Sequence, residues 1–414
     1  MPKQEIAIYQ LKNGLTVLIE SMPYVQSVAF NFLVPGGSAY DSPKKFGTAA
    51  LMTDLLTRGA GPYGNRELTT ALDNLGVQGG ESAGSQHISL GGAALGSKLF
   101  DALSIYKEIL RAPHFDPEEL PAAKAGSIQM LRSIEDEPRQ KLMVELRKRC
   151  YSQPWSNPTD GQLGDIGNIE IDDLKAQYRR CFQPARTILS VAGAVDPQAL
   201  IKHVENLFGD WENSDFAEPD TKSIALFDQH ITQDTTQTHI GMAYPAVSYD
   251  HDRYFDAWAA IGILSGGMSS RLFTRVREER GLCYTISASL HSLHREGRVV
   301  CYAGTMHERA QETLDVTMRE LRGLASDLSS EELIRCQARA KSSLIMQQES
   351  TTARASAMTR DWYYLSKIRT LDEIHEKVNA VTLDSVTDYC KSWPAHGLVL
   401  LTIGPTALDA SSLN

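Results

Sequence analysis

The stretch LFDALSIYKEILRAPHFDPEELPAAKAGSIQML, residues Leu99–Leu131, has a second version in ETLDVTMRELRGLASDLSSEELIRCQARAKSSLIM, residues Glu312–Met346. The anchor is DPEEL against SSEEL. Each carries a helix-start signature: Asp116 with Pro117 next and Glu119 three residues on, and Ser329 with Glu332 three residues on. Each is therefore expected to open a helix at the same place in its half. Leu120 and Leu333 correspond, 213 residues apart, and two apolar strands closed by glycine, LSVAGAV around Gly193 and LLTIGPT around Gly404, stand 211 apart. Agreement to within two residues predicts one structural unit present twice.

Between the halves, WENSDFAEPDTKS (Trp211–Ser223) is polar, lacks periodicity and contains proline, so it reads as a linker. The expected domains are 1–217 and 218–414. Each half mixes strands of period-two alternation, such as QSVAFNFLV and QTHIGMAY, with long amphipathic helices such as SKLFDALSIYKEILRA and ERAQETLDVTMRELRGLA. Clustering of strands and helices, rather than strict alternation, gives the class α+β. Two homologous sandwich domains are expected, each a mainly antiparallel sheet with helices packed on one face.

At 414 residues the chain is long enough for two or three domains at about 150 residues each. Lys plus Arg number 41 against 51 Asp plus Glu, a net charge of −10 that repels phosphate backbones and argues against nucleic acid as a partner. No apolar run approaches the roughly 20 residues needed to span a bilayer. The opening MPKQEIAIYQLKNGLTVLIE shows no signal-peptide pattern. Six scattered cysteines without a CxxC pair suit a reducing compartment, so the cytoplasm is the default expectation.

The segment GGMSSRLFTRVREERGLCYTISASL, Gly266–Leu290, carries chemistry. Leu272, Phe273 and Val276 form a helical apolar stripe that ends at Gly281, after which Tyr284, Ile286, Ala288 and Leu290 alternate as one face of a strand. Arg277 and Tyr284 thus flank a helix-to-strand turn. Spacing alone favours a solvated helix arginine and a core tyrosine. The segment, however, strongly resembles the second-half signature of the pitrilysin-like zinc peptidases, and QLKNGLTVLIE (Gln10–Glu20), GGSAYD (Gly36–Asp41) and the duplicated layout are similar to that family along nearly the whole chain. The resemblance implies that Arg277 and Tyr284 contact bound peptide and help stabilise the transition state. It also implies that Gly266 and Gly267 give structural support near the substrate.

The family's other signature is the inverted zinc motif HxxEH, whose two histidines share a helix face and bind the metal while the glutamate acts as general base; a distant glutamate completes the ligands. The matching stretch here is FGTAALMTDLL, Phe46–Leu56. Ala50 and Asp54 stand where the histidines belong, Thr53 where the base belongs, and Met130 where the distant glutamate belongs. A methyl, a carboxylate, a hydroxyl and a thioether cannot hold zinc against water. No metal is expected in this chain, and no peptidase activity from the chain alone.

Other constellations carry less. GGESAG centres Ser82 in a GxSxG pattern, but the nucleophile elbow needs a strand before and a helix after, and here the order is reversed, so a plain helix-to-strand turn is expected. His291 and His294 sit on an expected strand hairpin, where residues three apart face opposite sides; His87 lies on another strand. Gly266 and Gly267 lack the lysine of a phosphate-binding loop. Ile134–Pro138 is expected to end or kink the helix that carries Met130.

Taken with the resemblance, these residues imply a non-catalytic, substrate-binding subunit of a heterodimeric zinc-dependent peptidase. Arg277 and Tyr284 would come from this chain, while zinc and general base would come from a homologous HxxEH-containing partner acting on peptides. The alternative is an inactive scaffold or interaction subunit of a larger complex.

Overall fold

The computed structural model of the protein describes residues 4–224, 227–293 and 296–411. In chain order its strands are β1 (Glu5–Gln10), β2 (Thr16–Ser21), β3 (Ser27–Pro35), the two-residue pair β4 (Gly59–Ala60) and β5 (Tyr63–Gly64), β6 (Gln78–Ala83), β7 (His87–Leu95), β8 (Ile188–Gly193), β9 (Gln229–Thr232), β10 (Thr238–Ala246), β11 (Cys283–Leu293), β12 (Glu296–Thr305) and β13 (Val399–Gly404). The first sheet has the order β1-β2-β8-β3-β7-β6 and the second β9-β13-β10-β12-β11. Each contains one parallel pair, β2 with β8 and β9 with β13, among antiparallel neighbours. From β2 and β9 onward the two orders correspond strand for strand. The expected α+β class and the duplication are both present.

The inner strands explain how each sheet is covered. All of β8 and β13 is buried, as is all of β2 except Ser21, and a strand buried on both faces needs cover on both. On one face of the first sheet, Phe30 and Phe32 pack against Tyr106 of α3 (Leu99–Arg111) and Phe208 of the helix Pro197–Phe208, with ring centroids 4.8 Å (Phe30–Tyr106) and 5.6 Å (Phe32–Phe208) apart. On the other face Leu18, Ala29 and Ala192 meet Ala355 and Met358 of the helix Thr351–Leu365, which belongs to the far half of the sequence. The second sheet receives the reciprocal cover, from Leu142 and Leu146 of α5 (Pro138–Cys150). A Cβ at Gly241 of β10 would lie 2.5 Å from Leu142 Cδ2, so this close packing requires the glycine.

The contiguous domains 1–217 and 218–414 are therefore corrected. One unit comprises residues 1–133, 153–222 and 346–369; the other comprises 134–152, 223–345 and 370–414. The chain crosses at matching breaks. α4 (Leu120–Asp136) stops before Glu137, whose extended backbone precedes Pro138 at the start of α5. Ser350, 213 residues later, is likewise extended and caps the helix Thr351–Leu365 through Ala353 N–H. The expected break at Ile134–Pro138 is found, and it is the point of exchange.

Polar groups fix the exchanged helix in register. Arg354 Nε donates to Glu20 Oε2 at 2.8 Å with both side chains almost fully buried, and Gln4 Nε2 donates to Glu20 Oε1 at 2.7 Å. One turn and a half further on, Thr359 Oγ1 lies 2.5 Å from Ser190 Oγ of β8.

A second buried carboxylate sets the start of α1 (Thr48–Leu56). Asp41 Oδ2 accepts from Gly47 N–H at 2.8 Å, and Oδ1 accepts from Ala49 N–H at 2.9 Å and Gln177 Nε2 at 3.1 Å. Burial outweighs these bonds and pushes the carboxyl up to about 6. Gly47, at φ +111°, makes the left-handed entry into the helix.

One helix start differs from expectation. Helix α4 opens at Leu120, not Pro117: Glu119 turns away from Asp116 and pairs with Arg58, while Asp116 Oδ1 accepts from Glu118 N–H. The Ser329–Glu332 capping box forms as expected, with bonds of 3.0 and 3.3 Å.

Arg354→Met leaves Glu20 charged and buried, and is expected to cost about 3–5 kcal/mol, read as a lower urea midpoint, while adding Glu20→Leu recovers most of the loss. For Asp41, the folded carboxyl binds its proton more tightly than the unfolded one. Between about pH 4 and pH 6 the folded state holds the extra proton, so this group's contribution to stability falls as pH rises. Urea titrations across that window should show the wild type losing stability relative to Asp41→Asn as pH increases.

Candidate functional site

Helix α1 carries the positions of the inverted zinc motif. Its entry is set by Asp41 and Gly47, and its apolar residues Leu51, Met52, Leu55 and Leu56 are buried. Thr53 is also buried and its hydroxyl donates to Ala49 O at 2.8 Å, so the hydroxyl serves the helix itself. Asp54 is held by Arg58, one helical turn on, whose Nε donates to both carboxylate oxygens at 3.1 Å. Arg58 Nη1 also reaches Glu119 Oε2 at 3.1 Å. Bonds from Asn65 and Arg58 hold the Glu119 carboxyl below its usual range. Ala50 contributes a methyl, and Met130 on α4 is exposed. The cation beside Asp54 is thus the chain's own guanidinium, and these four positions do not fit zinc. Among the described residues no group of three or more His, Cys, Asp or Glu is arranged to hold a metal.

Beside α1 lies a cleft of about 420 Å³. Its walls come from α1, α2 (Asn65–Asn74), α3 and β6, the terminal strand of the first sheet. Glu81 of β6 faces it, and partial withdrawal from water and the charge of Asp54 both raise the Glu81 carboxyl above its ordinary value. Sequence reading weighed GGESAG only for Ser82 and passed over Glu81. The available signal was strand alternation, which puts adjacent residues on opposite faces. Ser82 itself lies within β6, paired opposite Ser89, so the expectation of a turn there is corrected: the turn falls before Gln78, where Gly76 has φ +67°. No strained elbow presents this serine.

In the second unit the signature segment begins at the end of the helix Tyr254–Ser265. Gly266 caps it through a 2.7 Å bond to Gly262 O, and a Cβ on Gly267 would lie 2.6 Å from Arg339 Nη1. The following helical turns, Leu272–Glu278, form a π-helix rather than the α-helix that the apolar stripe suggests; such wider turns occur often at functional sites. Gly281, at φ +59°, ends the segment as expected.

Three of the segment's four arginines differ in what they meet. Arg271 is buried and bonded to Glu332 through two nitrogens at 2.7 Å each, and to Asp327. Arg275 pairs with Glu320 at 2.8 Å and with Asp327 at 3.1 Å. Arg277 has no carboxylate within ion-pair distance among the described residues. Its guanidinium lies between two rings instead, 4.7 Å from the centroid of Phe273 and 5.1 Å from that of Tyr284.

Tyr284 departs from its expected strand face. The pairing of β11 with β12 shifts between Cys283 and Thr285, a bulge at Tyr284. Cys283, Ile286 and Ala288 are buried, while Tyr284 is 75% exposed. The bulge re-aims the ring out of the core and over Arg277. Phe273, read in the sequence only as part of a core stripe, is the second ring against the guanidinium.

The histidines do not gather. His87 on β7 packs edge-on against Tyr363 at 4.0 Å. His291 on β11 contacts Ser289 Oγ at 3.1 Å, and burial with Arg147 nearby lowers its pKa. His294 lies outside the described residues.

Residues 16–161 match the family model described as Insulinase (Peptidase family M16), and residues 168–340 match the model described as Peptidase M16 inactive domain. The chain belongs to peptidase family M16. Among its relatives, an uncharacterized zinc protease of Bacillus subtilis, YmxG, is 27% identical over 402 residues, covering 96% of this chain and 98% of its own. An uncharacterized zinc protease of Rickettsia bellii is 24% identical, covering 98% and 99%. The fold matches a peptidase M16 inactive domain from Pseudomonas fluorescens at a TM-score of 0.90 and 18% identity, over 98% of this chain and 99% of that one. It also matches a protease from Helicobacter pylori at 0.89 and 16% identity, over 97% and 100%. M16 relatives thus carry the zinc protease name, while the M16 positions on α1 of this chain hold no ligand set. No helix among the described residues is long and apolar enough to cross a membrane.

Titration calorimetry of the purified chain with zinc at neutral pH should show no stoichiometric binding event, and elemental analysis after dialysis should find no retained metal.

Proposed function

We propose that this M16 chain is the non-catalytic, substrate-binding subunit of a heterodimeric zinc-dependent peptidase that acts on peptides. The observation that carries the reading is the state of Arg277: a guanidinium held by two rings and, among the described residues, left without a carboxylate, beside an exposed tyrosine, on a segment whose buried arginine, Arg271, is fully paired. Such a group has N–H donors free for a peptide carbonyl, and its charge favours negative charge developing on that oxygen. The Tyr284 hydroxyl, on a ring carried outward by the bulge, is a second donor. What the chain lacks, metal and general base, a homologous partner with an intact HxxEH motif would supply. The open outer edge of β6 offers a further place for an extended peptide, through backbone hydrogen bonds.

The test is to purify the chain with an HxxEH-containing homologue from the same source and assay peptide hydrolysis for each alone and for the mixture. Activity is expected only in the mixture. Removal of one donor aimed at a developing oxyanion slows turnover by about 10²–10³-fold, so Arg277→Ala and Tyr284→Phe should each lower kcat on that scale while leaving the complex assembled on a sizing column. An active mixture indifferent to both substitutions rules the reading out.

A further inference from the structure

The wide turn of the signature segment is closed by Glu279 N–H donating to Thr274 O, five residues back, at 2.9 Å, and the π winding runs from Leu272 to Glu278. Such windings are rare and mostly appear as single-turn bulges within α-helices. A run of seven residues needs support from outside its own backbone. Leu272 and Val276, both fully buried, supply it on one side. On another side the support is ionic and centres on Asp327, in the connection between the helices Ala310–Gly323 and Ser330–Gln348.

One carboxylate oxygen of Asp327 accepts from Arg271 Nη1 and the other from Arg275 Nη2 at 3.1 Å, while the Asp327 carbonyl accepts from Arg271 Nη2 at 2.8 Å. Two like charges four residues apart on a helix repel unless an anion lies between them. Glu332 meets Arg271 and Glu320 meets Arg275, but among the described residues Asp327 alone meets both. Its carboxyl is drawn partly out of water, yet the two guanidiniums hold it below the ordinary aspartate range.

The direction of Arg277 follows from that of Arg275. A step of two residues along a helix carries a side chain roughly half-way round the axis, so a clamp that points Arg275 toward Asp327 points Arg277 away from it. There the guanidinium meets Phe273 and Tyr284.

We infer that Asp327 is the positioning residue of this site: with one arginine on each carboxylate oxygen, it holds the winding that turns Arg277 out against its two rings. The inference rests on the peptide-binding reading above for its purpose and adds to it the group that chooses which arginine is offered to the peptide.

The test uses the full chain labelled with 15N-arginine, its Nε–H resonances assigned with Arg271→Lys, Arg275→Lys and Arg277→Lys. Ring currents from Phe273 and Tyr284 should place the Arg277 Nε–H proton upfield of solvated arginines. In Asp327→Ala it should move to the solvated position, whereas Asp327→Glu, which still reaches both guanidiniums, should keep it upfield. Asp327 is half-exposed, so the alanine variant is expected to fold, as far-ultraviolet circular dichroism would show. Should it not, Asp327→Asn, which can accept from only one of the two arginines, carries the same expectation. In the active mixture Asp327→Ala should lower kcat by about 10²-fold, the scale reached by misplacing a catalytic group, with KM unchanged. Adding Arg277→Ala should cost little more, because both changes remove one interaction. An Arg277 resonance that is not upfield, or that stays in place in a folded variant without the Asp327 carboxylate, overturns the inference, as do additive losses in the mixture. A resonance that moves as expected beside a mixture that hydrolyses nothing upholds the positioning role and overturns the peptidase reading instead.

Discussion

Two-sided burial of the inner strands is the constraint from which the architecture follows. β8 and β13 are buried on both faces, and no single layer of helices can keep both faces from water. Each sheet meets that demand with helices from its own half on one side and a helix from the other half on the second side. At about 25 cal/mol per Å² of apolar surface, loss of the second layer would leave Leu18, Ala29 and Ala192 wet and remove much of the reason for the sheet to form. The buried Glu20–Arg354 pair contributes alignment more than net stability, since both charges give up their hydration to form it.

The chemistry follows from which charges are balanced. On α1, Asp54 is answered by Arg58, so a position that in zinc-binding relatives of the motif would take a metal ligand is closed by an internal ion pair. On the π-helical segment the reverse holds. Arg271 and Arg275 are committed to Glu332, Glu320 and Asp327, whereas Arg277 has no carboxylate partner among the described residues. Aromatic rings hold that guanidinium in place without neutralising it, which a carboxylate would do.

Much of this was legible in the sequence, and the reasons for the rest are specific. The repeat, the α+β class and the break before Pro138 were readable because helix caps, proline and strand alternation are local signals. The loss of HxxEH was readable at Ala50, Thr53, Asp54 and Met130 because ligand chemistry depends on residue type. The exchange of helices was not, since α5 and the helix Thr351–Leu365 carry no mark of which sheet they will cover; only the mostly apolar, non-alternating sequences of β2, β8 and β13 hinted that a second layer was needed. The outward turn of Tyr284 depends on one extra residue in β11, which alternation alone reads straight through. Glu119 was read as a helix cap because the pull of Arg58, 61 positions away, is a tertiary effect.

The crossed helices also bear on synthesis and on evolution of the chain. The amino-terminal sheet cannot complete its second covering layer until the ribosome has added residues beyond Leu365, so that face must wait, exposed or shielded by helpers, through most of translation. A break in the polar tether after Trp211 would not release two independent lobes, because each would still hold a piece of its neighbour. The two copies of the repeat are therefore bound to be inherited together.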